Sequence, residues 1–186
     1  MILTDHEIQA ALANKQIFID PAPDADAFSS TSVDLTLSPI IRVWHDFDTL
    51  GVDPPVFTPG IPGYKANPVI TKHTDLVKIP EDGYIVEPGS FFLAWTAEMV
   101  KLPSQFQLAA RVEGKSSLAR HGIGVHVTAP TIHAGFTGQI TLEMYNLGNL
   151  KVKLHAGMRV CQLIFEQTLG TPDEGYAGQF ADQRAQ

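Results

Sequence analysis

Residues 138–146 read Gly138-Gln139-Ile140-Thr141-Leu142-Glu143-Met144-Tyr145-Asn146. Side chains alternate between the two faces of a strand, so Ile140, Leu142 and Met144 share an apolar face. Thr141, Glu143 and Tyr145 share the other. The same period recurs upstream, where Val33, Leu35 and Leu37 alternate with Asp34, Thr36 and Ser38, predicting a half-buried strand. Further strands are expected at 77–79, 84–86, 91–96, 108–112, 125–128, 151–154 and 160–166. Turns separate them at Pro80-Glu-Asp-Gly83, Glu87-Pro-Gly-Ser90, Gly148-Asn149 and His155-Ala-Gly157. Short strands with frequent turns predict a mainly β fold, a sandwich or jelly-roll-like barrel.

Outside this region the pattern changes. Residues 4–14 predict a helix: Thr4 or Asp5 caps it, Glu7 completes a capping box with Thr4, and Ile8, Ala11 and Leu12 share one face. Residues 39–70 hold Pro54, Pro55, Pro59, Gly60, Pro62 and Gly63 and predict a long irregular excursion with a short strand near 41–43. Residues 118–121 predict a single helical turn. The polar tail, 169–186, is expected to be mobile when unliganded. The 186 residues suit one domain, 1–186.

Composition narrows the function. A net charge of −7 argues against a nonspecific nucleic-acid binder, so an anionic ligand needs a local cationic pocket. One cysteine, Cys161, excludes a disulfide framework and a cysteine-paired zinc site. The N-terminus lacks a signal-peptide pattern and no apolar run is long enough to span a bilayer, so a cytoplasmic protein without membrane contact is expected.

Two segments carry candidate chemistry. Glu143 is the single carboxylate of its strand, and the turn Gly135-Phe136-Thr137-Gly138 precedes it. A glutamate on a solvated sheet face is the plain alternative. Gly114-Lys115-Ser116-Ser117-Leu118-Ala119-Arg120 gathers two cations and two hydroxyls, groups that bind phosphate; an ordinary polar turn would look similar. A nucleoside-triphosphatase P-loop is excluded, because Ala109 stands where its first glycine is needed and Gly122 cuts short any long helix. The zinc deaminase signature needs more cysteines than the chain has. His121, His126, His133 and His155 lack ligand spacing, although His126 and His133 could meet in space.

Taken together, the chain resembles the dCTP deaminases, trimeric relatives of dUTPase. The resemblance rests on residues 2–8, 32–37, 87–98, Leu102-Pro103, 114–120, 135–146 and 157–165. It implies a dUTPase-like distorted β-barrel with an N-terminal helix, and metal-independent hydrolysis of dCTP to dUTP and ammonia in pyrimidine deoxynucleotide biosynthesis. It implies Glu143 as general acid/base, Ser116 and the Ala129 carbonyl positioning the water, and Arg120 supporting the site. Lys115, Ser116, Ser117 and Arg120 would hold the triphosphate, with Mg²⁺ bridging its oxygens and no protein-bound metal. Thr131, His133, Phe136, Tyr176, Gln179 and Gln183 would complete substrate binding, the last three from the tail that closes over the nucleotide. A homotrimer with sites between subunits is implied, with dUTP or dTTP as product or inhibitor.

The sequence departs from that pattern in three places. His133 stands where the family usually has Asp, which in dUTPases and bifunctional relatives activates water at the α-phosphate; this argues against diphosphatase chemistry. Pro130-Thr131 replaces His-Arg of some deaminases, and Gln179 replaces a lysine. A dUTP diphosphatase, alone or combined with deamination, and an inactive nucleotide-binding regulator remain the alternatives.

Overall fold

The structure is a computed structural model that describes residues 1–176 and 184–185. Among the described residues four α-helices and twelve strands follow in the order α1 (Asp5–Ala13), β1 (Phe18–Asp20), β2 (Phe28–Ser29), β3 (Ser32–Trp44), α2 (Phe47–Leu50), α3 (Ala66–Lys72), β4 (Thr74–Lys78), β5 (Tyr84–Val86), β6 (Phe91–Lys101), β7 (Leu108–Gly114), α4 (Ser116–Ala119), β8 (Ile123–Gly124), β9 (Thr131–Ile132), β10 (Thr137–Asn146), β11 (Val152–Leu154) and β12 (Arg159–Gln167), with 3-10 turns at Ala25–Ala27 and Ser104–Phe106. The expected mainly β architecture is present. Helix α1 has its capping box: Glu7 accepts from the Thr4 backbone N–H at 2.9 Å and from the Thr4 hydroxyl. It buries Ile8 and Ala11.

The main path of strands runs β8-β10-β6-β3-β12-β7-β9, with β1 on β6 and both β2 and β4 on β3. Its described pairings are antiparallel. Strand β3 belongs to both halves of the sheet. Its first part, Val33 to Thr36, pairs with β12, and its second part, Leu37 to Val43, pairs with β6. Where it crosses, the ladder breaks, and side chains take over the freed backbone groups. Glu98 accepts the Thr36 N–H at 3.0 Å and the Thr36 hydroxyl at 2.7 Å. Thr96 donates its hydroxyl to the Glu98 carbonyl and accepts the Ile140 N–H at 3.0 Å.

This central position corrects the expectation of a half-buried β3. Val33, Leu35 and Leu37 are buried, but so are Asp34 and Ser38 on the opposite face. The strand also runs unbroken from Ser32 to Trp44. Pro39 is tolerated because it lies in the register shift between Leu37 and Ile41, where no ladder N–H is demanded of it. The irregular excursion therefore spans 45–73, and it contains α2 and α3. The strand expected at 125–128 is instead a loop, since β8 ends at Gly124.

The apolar face of β10 meets the core as its alternation requires: Ile140, Leu142 and Met144 are almost wholly buried with Ile41, Phe92, Ala94 and Phe165. Full burial of such side chains stabilises by about 1.5–3 kcal/mol each. That packing fixes the opposite face, and with it the direction of Glu143.

Candidate active site

Glu143 lies opposite Leu93 of β6 and half-buried on β10. On its other edge β10 pairs with β8 only at Tyr145–Gly124 and Asn146–Ile123. The chain then peels away, and 127–129 form a wall facing the glutamate. The result is a cleft of about 490 Å³ lined by Phe91, Val127, Thr128, Ala129, Glu143 and Tyr145. Its apolar walls push the Glu143 carboxyl above the usual glutamate range, chiefly by desolvation. Backbone hydrogen bonds at Glu143 and Val127 and the charge of His126 pull it partly back. A carboxyl held above its ordinary range is better suited to taking up and returning a proton.

The structure brings Glu143 and Ala129 together in this cleft. Ser116, Ser117 and Arg120 lie exposed along α4 and at its C-terminal cap, and they do not line the cleft of their own chain. Lys115 points inward: its ammonium lies 2.6 Å from both carboxylate oxygens of Asp34. Asn146 ends β10 by donating to the Val86 and Leu150 carbonyls and accepting the Gly148 N–H.

The second group of candidates gathers elsewhere. The His133 ring stacks on Tyr176 with centroids 5.3 Å apart, and Phe136 packs beneath at 6.5 Å. The Tyr176 N–H donates to the Ala134 carbonyl at 3.1 Å. A depression of about 590 Å³ lies beside this contact, between Ala109, His133, Ala134 and the 168–176 segment. Phe136 is buried and belongs to the core, whereas Thr131 is exposed on β9. Gln179 and Gln183 lie outside the described residues. His126 and His133 keep separate company, His126 lying 3.6 Å from Glu113. Among the described residues no three His, Cys, Asp or Glu side chains converge as a metal site.

Sequence reasoning missed Asp34, which its alternation placed on a solvated face. It also passed over Phe91 and Tyr145 as cleft walls, although Tyr145 shares the Glu143 face. Of the two groups with chemistry in the sequence, Glu143 lines the cleft and the 114–120 segment does not.

The family model described as dCTP deaminase-like matches residues 2–168. The chain belongs to the dCTP deaminase-like family. Among curated members, "dCTP deaminase, dUMP-forming" of Methanobrevibacter smithii is 39% identical over 174 residues, 93% of this chain and 83% of that one. "dCTP deaminase" of Rhodospirillum rubrum is 37% identical over 179 residues, 95% of this chain and 88% of that one. Of solved structures, the 2'-deoxycytidine 5'-triphosphate deaminase of Agrobacterium tumefaciens superposes with a TM-score of 0.66 at 26% identity, covering 88% of this chain; the chain spans 47% of that one. A dUTPase of Staphylococcus bacteriophage 80alpha shares the fold, with a TM-score of 0.50 at 11% identity over 88% of this chain and 97% of that one. Among the described residues no helix is long and apolar enough to cross a membrane.

Proposed function

We propose that this protein hydrolyses dCTP to release ammonia, with Glu143 moving the proton. The observation that carries the reading is the half-buried carboxyl in an apolar cleft, its pKa raised by desolvation. Ionised Glu143 takes a proton from water, and the water oxygen bonds to C4 of the cytosine. Glu143 passes that proton to ring N3 and then relays the proton of the new C4 hydroxyl to the exocyclic amine; the bond from C4 to that amine breaks, ammonia leaves and the C4 carbonyl forms, giving the uracil nucleotide. The Ala129 carbonyl, on the facing wall, accepts a hydrogen bond from that water.

A triphosphate needs cations and donors, and the exposed Ser116, Ser117 and Arg120 supply them. Because they do not line the Glu143 cleft of their own chain, the reading includes a homotrimer in which α4 of one subunit completes the cleft of the next. Ser116, Ser117 and Arg120 would hold the nucleotide together with its Mg²⁺, which would neutralise phosphate charge. His133 and Tyr176 would meet the sugar; Gln179 and Gln183, which the resemblance also assigns to substrate binding, lie outside the described residues. The work would be done in the cytoplasm.

The names of several relatives support a second reading, in which deamination is followed by loss of pyrophosphate to form dUMP. His133 speaks against it, since an imidazole brings a different geometry and charge from the carboxylate that activates water at the α-phosphate. Incubation with dCTP and, separately, dUTP decides between them. Ammonia without pyrophosphate is the expected result. Pyrophosphate from either nucleotide would establish the second reading, and tight binding without either product would leave a regulator.

A further inference from the structure

Helix α4 has four residues, too few to hold itself in water. Its orientation is therefore set by its ends. At the far end the Leu147 N–H donates to the Gly122 carbonyl at 2.7 Å. At the near end two side chains from the central strands take hold. Asp34 on β3, 7% exposed, faces Gln162 of β12 in the ladder. Its two oxygens receive the Lys115 ammonium at 2.6 Å. Gln162 accepts the Ser32 hydroxyl at 2.9 Å and donates to the Gly114 carbonyl at 3.3 Å. Lys115 caps α4, and Gly114 precedes it.

We propose that Asp34, with Gln162, is a positioning residue for the triphosphate. It acts through Lys115, whose charge answers the buried carboxylate rather than a phosphate. This rests on the reading of α4 as the phosphate cradle. A carboxylate buried without its cation is strongly unfavourable, so a triphosphate cannot draw Lys115 away without stranding Asp34. The role of Lys115 is to aim Ser116 and Ser117, and the cation that meets phosphate is Arg120. A displacement of about 1 Å in such groups can cost on the order of a hundredfold in rate.

The test uses inorganic tripolyphosphate as a competitor of dCTP, with Asp34→Asn, Lys115→Met and the double variant. Asp34→Asn and Lys115→Met should each raise the KM for dCTP and the Ki for tripolyphosphate by a common factor of about tenfold or more, with a smaller change in kcat. The double variant buries no unpaired charge, so its Ki should return to within a few-fold of the parent. It also serves should either single variant fail to fold. A parent protein that tripolyphosphate does not inhibit overturns the cradle reading and this inference with it. Inhibition that is indifferent to Asp34→Asn, or a double variant as weak as Lys115→Met, overturns the inference alone and makes Lys115 a phosphate ligand.

Discussion

Gly135→Ala isolates the contact between the 133–136 turn and the 168–176 segment. Gly135 has φ +92°, where an L side chain is strained by about 1–2 kcal/mol. A Cβ there would also lie 2.6 Å from the Tyr176 nitrogen and 2.9 Å from the Gly175 Cα. Both are backbone atoms, so no rotamer change relieves them, and the segment must retreat by several tenths of an ångström. That retreat weakens the Tyr176–Ala134 hydrogen bond, worth about 1 kcal/mol, and the His133–Tyr176 stack, worth about the same. Gly89→Ala is the control, because Gly89 has φ +81° and nothing within 4 Å of its added Cβ. Both variants should lower the melting temperature, at roughly 2–4 °C per kcal/mol for a domain of this size. Only Gly135→Ala should speed proteolysis after residue 168 and raise the KM for dCTP. If the two variants behave alike in proteolysis and KM, the contact does not hold the segment and the reasoning fails.

Glu143→Gln should lower turnover by about 10²–10⁴-fold while dCTP still binds, measured by ammonia release and calorimetry; near-parental turnover would remove Glu143 from proton transfer. The same variant should melt higher at neutral pH. A carboxyl whose folded pKa is raised stabilises below its unfolded pKa and loses that contribution as pH rises through the folded one, so the melting gap over the parent should close toward acid pH. The acid limb of kcat should fall above the ordinary glutamate range, and His126→Asn should move it higher by removing a charge that lowers it; a limb that stays in place refutes that coupling. Arg120→Ala should raise the KM for dCTP and lower kcat, together about tenfold or more in kcat/KM; unchanged kinetics would take Arg120 out of the site.

The β10 segment was legible because one periodicity decides both its core face and the direction of Glu143. The capping box of α1 was legible for a similar reason: the signal is local. Asp34 was not, because alternation tells which residues share a face and never whether a second layer covers that face. Strand β3 is covered on both. The extension of β3 through Pro39 was hidden by a rule that holds for regular ladders and lapses at a register shift. Residues 125–128 alternate like a strand, but a strand needs a partner edge, and the chain leaves β10 after Gly124. The cleft is the space that departure opens, so the feature most tied to chemistry is one that local pattern could not display. The 114–120 segment was read correctly as polar and cationic, but the inward turn of Lys115 depends on a carboxylate 81 residues away in the chain.

The excursion at 45–73 leaves and re-enters the molecule at a closed stem. Trp44 faces Thr74 across β3 and β4, and the His45 N–H reaches the His73 carbonyl at 3.0 Å. Such a stem insulates what it carries. Length and composition at the tip can drift, or a reporter domain can be spliced there, without tugging on the strand that both halves of the sheet share. It is the natural place for this architecture to acquire new attachments while its chemistry stays untouched.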